Sequence, residues 1–448
     1  MQQGNALSRM RSRVGFGGAA VALGCAVWFV TPGLPIWGVP RARASVKAAG
    51  LALFEHEWQP HDPLAKGDGL GPVFNGRSCV ACHSQGGVGG GGGNKHNVRS
   101  FEAMPTKDRP DVEGGLVHAF AVKNHLLEGQ EALRSLFPIV PGGVRVASGC
   151  QILTRDFDPI RTESINSTAL FGAGWVDRLP GKLVIAGYLK QTLASTGREL
   201  DGNFDGMTPG RPRVLPDGRL GKFGWKAQFA TLEEFIAAAC ANEIGLGCPD
   251  RPQAKPLGKV KYPDVEADLD HTQFAALSAF IDTLPCPTEV VPADSGEADR
   301  AIRGKAVFES VGCASCHTPK LGNLVGVYSD FLLHRLDDQT LGRPGSTYGP
   351  VETPEVPPPH AHPLPEEWKT PALWGVADSA PYFHDGGSPT LEAAILRHEG
   401  NAAGVTRAYK KLAPGDREAL QSFLKTLKAP ADAKPAGPEI ATGTLASR

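Results

Sequence analysis

The sequence predicts an all-α protein made of two copies of one small helical domain, the first enlarged by loop-rich insertions. Three observations predict it. The stretch "SCVACHS" (78–84) returns as "GCASCHT" (312–318), preceded by the related segments "GLALFEHEW" and "RGKAVFESVG". Each half closes on an amphipathic segment, "FAALSAFIDTLP" (274–285) and "REALQSFLKTLK" (417–428), with a helical apolar stripe. Long period-2 runs are missing, so few strands are expected.

Taken in chain order, residues 1–44 read as an export signal. Arg9, Arg11 and Arg13 precede the apolar run "VGFGGAAVALGCAVWFV" (14–30), and Ala42-Arg43-Ala44 is an A-x-A cleavage pattern before Ser45. That run is short for a bilayer span. With 46 basic residues less the five arginines of 1–44, the mature chain holds 41 against 47 acidic ones, a net charge of −6. This balance argues against nucleic acid as a partner. The first domain spans 45–290. Within it, 86–115, opening on "GGVGGGGG", and 197–222 read as loops. The boundary falls in "PCPTEVVPADSGEAD" (285–299), rich in proline and acid. The second domain spans 291–428, with a proline-rich loop over 342–366. Pro285 and Pro430 stop the closing helices, and the tail 429–448 reads as disordered.

Export changes how nine cysteines read. Cys25 leaves with the signal. Cys150, Cys240, Cys248 and Cys286 are an even set in an oxidising compartment, open to three connectivities. The close pair Cys240/Cys248 is the expected bridge. The other four form the two Cys-x-x-Cys-His motifs. Zinc calls for paired ligand clusters in one domain, but these pairs stand 234 residues apart, at Cys79 and Cys313. A thioredoxin-like redox motif needs a βαβ setting, and none is predicted. Covalent attachment of a c-type haem satisfies every constraint. Cys79, Cys82, Cys313 and Cys316 each reach a vinyl group, and His83 and His317 are the proximal iron ligands. The fold expected is therefore two cytochrome c-like haem domains.

The sixth iron position decides the chemistry. No methionine occurs from 291 to 448, so histidine is the candidate at the second haem. His334, His360, His362, His384 and His398 are available. In "SPTLEAAILRHEG" (388–400), Ser388 caps and Pro389 opens a helix on which Leu391, Ala394, Ile395 and His398 share a face. His398 is the expected ligand. His360 and His362 are expected at the surface, and His334, His384 and Asp385 as hydrogen-bonding groups. The first haem has no comparable helix. His56, His61, His96, His118 and His125 sit in loop-like surroundings and Met104 and Met207 are isolated, so an open position is expected there.

The motifs "DGLGPVFNGRSCVACHSQGGVGGGG", "INSTALFGAGWVDRLP", "GKFGWKAQFATLEEF", "NEIGLGC", "YSDFLLHRLDD" and "WKTPALWGV...PYFHDGGSPTLEAAI" carry a resemblance. Over about residues 50–428 the chain resembles the bacterial di-haem oxidoreductase and peroxidase family, also labelled thiol oxidoreductase. That family is distantly related to di-haem cytochrome c peroxidases, to the enzyme that matures methylamine dehydrogenase and to di-haem rubber oxygenases. The resemblance implies that Trp225 in "FGWKA" stands between the haems and that Glu243 in "NEIG" is the distal-pocket acid. It implies that His398 holds the place of a relative's Met or Tyr ligand. It also implies a calcium ion, with Asn166, Ser379 and Pro381 at the matching positions. The histidine that closes the resting peroxidatic haem in relatives has no counterpart here.

Three functions follow as expectations. The first is an exported, periplasmic di-haem peroxidase with a reactive first haem and a bis-histidine relay haem. The second is an electron-transfer cytochrome. The third is an oxygenase or protein-modifying oxidase on the same scaffold. The partners expected are a small cytochrome as electron donor and peroxide or dioxygen as oxidant.

Overall fold

Glycine decides where the main helices cross. In this computed structural model the described residues are 44–103, 115–133, 146–148, 151–153, 160–200, 209–257, 260–336, 358–364 and 366–437. The helix Ala44–Glu55 lies against His271–Asp282, and Ser295–Val311 lies against Pro414–Leu424. At the first crossing a Cβ on Gly50 would stand 2.0 Å from the Ala276 carbonyl oxygen and 2.7 Å from the Phe280 Cβ. At the second, a Cβ on Gly304 would stand 1.8 Å from the Ala419 carbonyl oxygen and 2.9 Å from the Phe423 Cβ. Only a residue without a Cβ permits that approach. Four residues on, Phe54 meets Phe280 at 5.3 Å and 60°, and Phe308 meets Phe423 at 5.3 Å and 64°. The repeat seen in "GLALF" and "GKAVF" is thus one crossing built twice. Each crossing feeds its own core, around Phe54, Leu277 and Phe280 in one case and Phe308, Tyr409, Leu420 and Phe423 in the other.

The helix ends follow their sequence signals. Asp270 and Gln273 form a capping box at His271, and Thr231 and Glu234 form another at Leu232. Pro414 occupies the first helical position, and Gly312 in the left-handed region stops Ser295–Val311 one residue before the second motif.

The fold departs from all-α. Val98–Ala103 is the central strand of a three-stranded sheet, antiparallel to Gly115–Val117 and to Ile160–Ile165. A hairpin pairs Leu333–Arg335 with Glu367–Lys369. Part of the expected loop 86–115 is therefore strand. Its partner Ile160–Ile165 is some sixty residues away, and "VRSFEA" carries no alternation strong enough to reveal it alone. The helix Gly181–Leu200 was not expected and runs into the predicted loop 197–222.

Two further expectations are corrected. The tail is docked through residue 437: Ala429 N–H donates to Asp378 at 2.8 Å, Val88 N–H to the Lys434 carbonyl at 2.8 Å, and Lys434 pairs with Glu55. Cys240 and Cys248 are buried neighbouring thiols with no bridge between them. The export segment up to residue 43, Cys150, Met104, Met207, most of 342–366 and 438–448 lie outside the described residues. Among the described residues no helix is long and apolar enough to cross a membrane.

The crossing makes a direct prediction. Gly304→Ala should cost about 1–3 kcal/mol by overpacking, read by denaturant unfolding. Gly415→Ala, where a Cβ meets nothing within 4 Å, should stay within about 0.5 kcal/mol of the parent.

Candidate functional site

Both motifs open onto one cavity of about 1420 Å³. Single ligand pockets usually span about 300–1,000 Å³, so this one has room for more than one such group. Cys79, Cys82, His83, Cys313, Cys316, His317, His398, Trp225 and Glu243 all line it, as do Asn166, Ser379 and Pro381. Its wall also takes in Val98, Ser100, Glu163 and Ile165 from the small sheet.

The first motif is a single helical turn, Cys79–Cys82, capped by Ser78, whose hydroxyl accepts from Ala81 N–H at 3.3 Å. His83 follows as the C-cap. Its Nδ1 lies 3.1 Å from the Gly90 carbonyl oxygen. The glycine run that reads as a loop is a tight collar around this ring. A Cβ on Gly90 would strike the Gln85 carbonyl at 1.7 Å, and one on Gly92 the Cys82 carbonyl at 2.5 Å. The second motif is a 3₁₀ turn, Cys313–Ser315, and His317 Nδ1 lies 3.0 Å from the Tyr328 carbonyl oxygen. Tyr328, Phe331 and Phe383 hold positive φ values of 48°, 57° and 76°. Such conformations are rare for bulky residues and cluster at functional sites.

His398 faces His317. The ring centroids are 6.3 Å apart at 67°. Metal–imidazole bonds run about 2.0–2.1 Å, so a metal ion between two such rings sets their centroids roughly 6 Å apart. His398 Nδ1 lies 2.8 Å from the Ala394 carbonyl. The expected helix is shorter than the sequence suggested. Thr390, not Ser388, caps it by accepting from Ala393 N–H at 3.1 Å, and it ends at Leu396. Ser388 is consumed by the bridge to Tyr382 and by Arg397. His398 sits two residues past the helix end and still shares the cavity wall with Leu391, Ala394 and Ile395.

A carbonyl only accepts, so each of the three Nδ1 atoms carries the proton and each Nε2 keeps its lone pair. Burial holds His83 and His317 down to about 4 and also lowers His398, so the rings are neutral, as metal ligation requires. Burial pushes the Cys79, Cys82 and Cys313 thiols up to about 12. A redox-active dithiol needs the opposite. The paired thiols, the anchored imidazoles and the cavity fit two haems.

Glu243 is carried by a feature that sequence reading missed. After Leu232–Ala239 the helix widens into a π turn, Cys240–Ile244, closed by Gly245 at φ 73°. Such turns recur at functional sites. Asn75 donates from Nδ2 to Glu243 Oε2 at 2.8 Å, and its own N–H donates to the Glu243 main-chain carbonyl at 2.7 Å. Burial raises the Glu243 carboxyl to about 7 against the lowering effect of Asn75. His83 is the only described histidine of the first half on the cavity wall; His56, His61, His96, His118 and His125 are elsewhere.

Trp225 Nε1 donates to the Asn166 carbonyl at 2.8 Å. Its ring meets Trp368 at 6.4 Å and His384 at 6.3 Å. Trp368 and His384 stack at 3.6 Å and 12°, and the Lys226 ammonium stands 3.5 Å from the Trp368 centroid. Phe383 then links His384 at 5.0 Å to His398 at 5.4 Å. The resemblance points to Trp225 and leaves Trp368 and Phe383 unassigned, although both lie in a quoted motif, because their ring contacts arise only in the fold. His384 stacks on Trp368, and Asp385 pairs with Arg397 at 2.9 and 3.0 Å. His334 pairs with Asp330 at 2.9 Å, with its Nδ1 3.7 Å from Cys316 Sγ. His360 and His362 are exposed, as expected.

The calcium positions fit that ion poorly. Asn166 turns its amide nitrogen toward the Gly92 carbonyl and Asn97 Oδ1, both at 2.9 Å, and its own carbonyl accepts from Trp225. Ser379 and Pro381 add no carboxylate, where calcium prefers oxygen donors that include them.

Residues 207–427 match the family model described as "Di-haem oxidoreductase, putative peroxidase". No curated protein matches the chain. Among solved structures, hydrazine synthase of Kuenenia stuttgartiensis is similar at 16% identity and TM-score 0.34, over 59% of this chain and 73% of that one. A MauG-like protein associated with microbial copper homeostasis is similar at 19% identity and TM-score 0.29, over 50% of this chain and 75% of that one.

The Asn75–Glu243 bond is testable alone. Asn75→Leu removes the donor that steadies the carboxylate, so the Glu243 carboxyl should titrate at higher pH. Difference infrared spectroscopy of the carboxyl band, assigned with Glu243→Gln, reads the shift.

Proposed function

We propose that this chain, a member of the di-haem oxidoreductase family over residues 207–427, is an exported peroxidase-like enzyme with one reactive and one closed haem. The observation that carries this reading is an asymmetry. The second motif's His317 is faced by His398 at 6.3 Å, whereas His83 is the only described first-half histidine on the cavity wall, with Glu243 lining the same cavity. When bound, c-type haem supplies the iron that binds oxidant and passes single electrons.

The chain's own residues divide the remaining work. Cys79 and Cys82 hold one porphyrin and Cys313 and Cys316 the other, by covalent thioether links. His83, His317 and His398 offer Nε2 as iron ligands. Glu243 would take a proton from one peroxide oxygen and deliver it to the other, which leaves as water, the two electrons for the O–O cleavage coming from the bound haem. Its position beside Asn75 fixes where that proton goes. Trp225 passes electrons between the lobes, with Phe383 and His384 continuing the ring path toward His398. The collar of 85–92 and the apolar wall exclude bulk water.

The mature chain's net acidity favours a donor with a basic face, such as a small cytochrome, in the periplasm. Peroxide is the oxidant of first choice, with dioxygen as the alternative. Nucleic acid has no place in this scheme.

Two outcomes are expected. Glu243→Gln should lower peroxide turnover by roughly 10²–10⁴-fold, and near-parental turnover would refute the acid–base role. The working form of Glu243 is the carboxylate, present above its pKa of about 7. Turnover by the parent should therefore rise as pH climbs through about 7, and the rise should vanish in the variant. Separately, His398→Ala should turn the second haem from low spin to high spin, read by optical and EPR spectra, without releasing either haem.

A further inference from the structure

The cavity wall beside the second motif carries a cation without a partner anion. Lys369 ends the strand Glu367–Lys369 and is only 9% exposed, and it lines the cavity. Its ammonium makes no hydrogen bond and no ion pair among the described residues; its nearest aromatic contact is the Phe331 ring, 5.4 Å from centroid to nitrogen. The carboxylate in its neighbourhood, Asp330, is already committed. Asp330 takes His334 at 2.9 Å, Gln191 Nε2 at 2.7 Å and Leu332 N–H at 2.9 Å. Burial lowers the Lys369 pKa to about 8, against an opposing pull from Asp330.

A buried ammonium without a partner is costly, and the cost is removed when an anion meets it. The main chain fixes the strand that carries it. Lys369 N–H donates to the Trp225 carbonyl at 2.7 Å, and Thr370 N–H to the Leu332 carbonyl at 3.0 Å. The neighbouring pair Arg211–Glu367 is buried and bidentate, at 2.8 and 2.7 Å, so Glu367 is satisfied and offers Lys369 nothing. The Asp330–His334–Cys316 contacts place this wall at the second motif rather than the first.

We propose that Lys369 is a carboxylate-binding site of the cavity, taking either a propionate of the second haem or the carboxylate of a small organic substrate. The inference rests on the di-haem reading for the first source only. A single point cation suits a carboxylate, which accepts from an ammonium without needing bidentate geometry.

The test uses the full-length protein as isolated, without peroxide. Lys369→Met and Lys369→Arg are compared with the parent in two measurements. Spectroelectrochemical titration reads the midpoint of the low-spin haem. Calorimetric titration with benzoate reads exogenous carboxylate binding.

If a propionate is the ligand, Lys369→Met shifts the midpoint to lower potential, since a cation that favoured the reduced form is gone. Lys369→Arg then stays near the parent and benzoate binds none of the three. If a substrate carboxylate is the ligand, benzoate binds the parent and Lys369→Met loses at least tenfold in affinity, whatever the midpoint does. An unmoved midpoint together with no benzoate binding overturns the proposal, as does benzoate binding that is equal in the parent and Lys369→Met.

Replacing a buried charge by a similar apolar side chain is often neutral or stabilising, so Lys369→Met is expected to fold. Should it not, Lys369→Gln serves in both measurements. Neither measurement depends on peroxide turnover, so an inactive protein would count against the peroxidase reading and leave this one standing.

Discussion

One hydrogen bond, made three times, sets the rest of this structure. An imidazole Nδ1 meets a main-chain carbonyl at His83–Gly90, His317–Tyr328 and His398–Ala394, at 3.1, 3.0 and 2.8 Å. Each bond fixes the tautomer and directs an Nε2 lone pair into the cavity. Supplying those carbonyls is what shapes the surrounding chain. The glycine collar exists because Gly90 must lie against Gln85, at a distance no side chain would allow. Tyr328 holds a positive φ next to His317, and it is anchored through its hydroxyl to Glu289 at 3.3 Å.

The two lobes share a helix crossing and differ in what faces the anchored histidine. The Gly–Ala–Phe contact at each crossing is nearly superposable in its distances. Insertions in the first half supply the small sheet and the π turn with Glu243, and the second half supplies His398. Between them the rings of Trp225, Trp368, His384 and Phe383 form an unbroken series of contacts leading to His398. Under the proposed function, electron passage and proton handling fall to different sets of side chains in one cavity.

Much of this is legible in the sequence. The motifs, the repeat, the closing helices and His398 are local patterns, and local patterns survive folding. Where the reading failed, the cause was tertiary. "VRSFEA" becomes strand only because Ile160–Ile165 pairs with it from far along the chain. Thr390 displaces Ser388 as cap because Ser388 is already engaged by Tyr382 and Arg397. The tail docks because Asp378 and Glu55 present partners to Ala429 and Lys434. The π turn has no sequence signature, and although Asn75 and Trp368 lie within motifs that carry the resemblance, their partners Glu243 and His384 are set by the fold. The Cys240/Cys248 spacing invited a bridge, yet the two buried neighbours stand as free thiols.

The central claim is a pair of haems with unequal iron environments. Resting-state EPR of the purified, haem-loaded protein, calibrated by a haem count, tests it most directly. Two equivalents of haem, with one high-spin and one low-spin ferric signal, are predicted. A single equivalent, or two low-spin signals of equal weight, would contradict it.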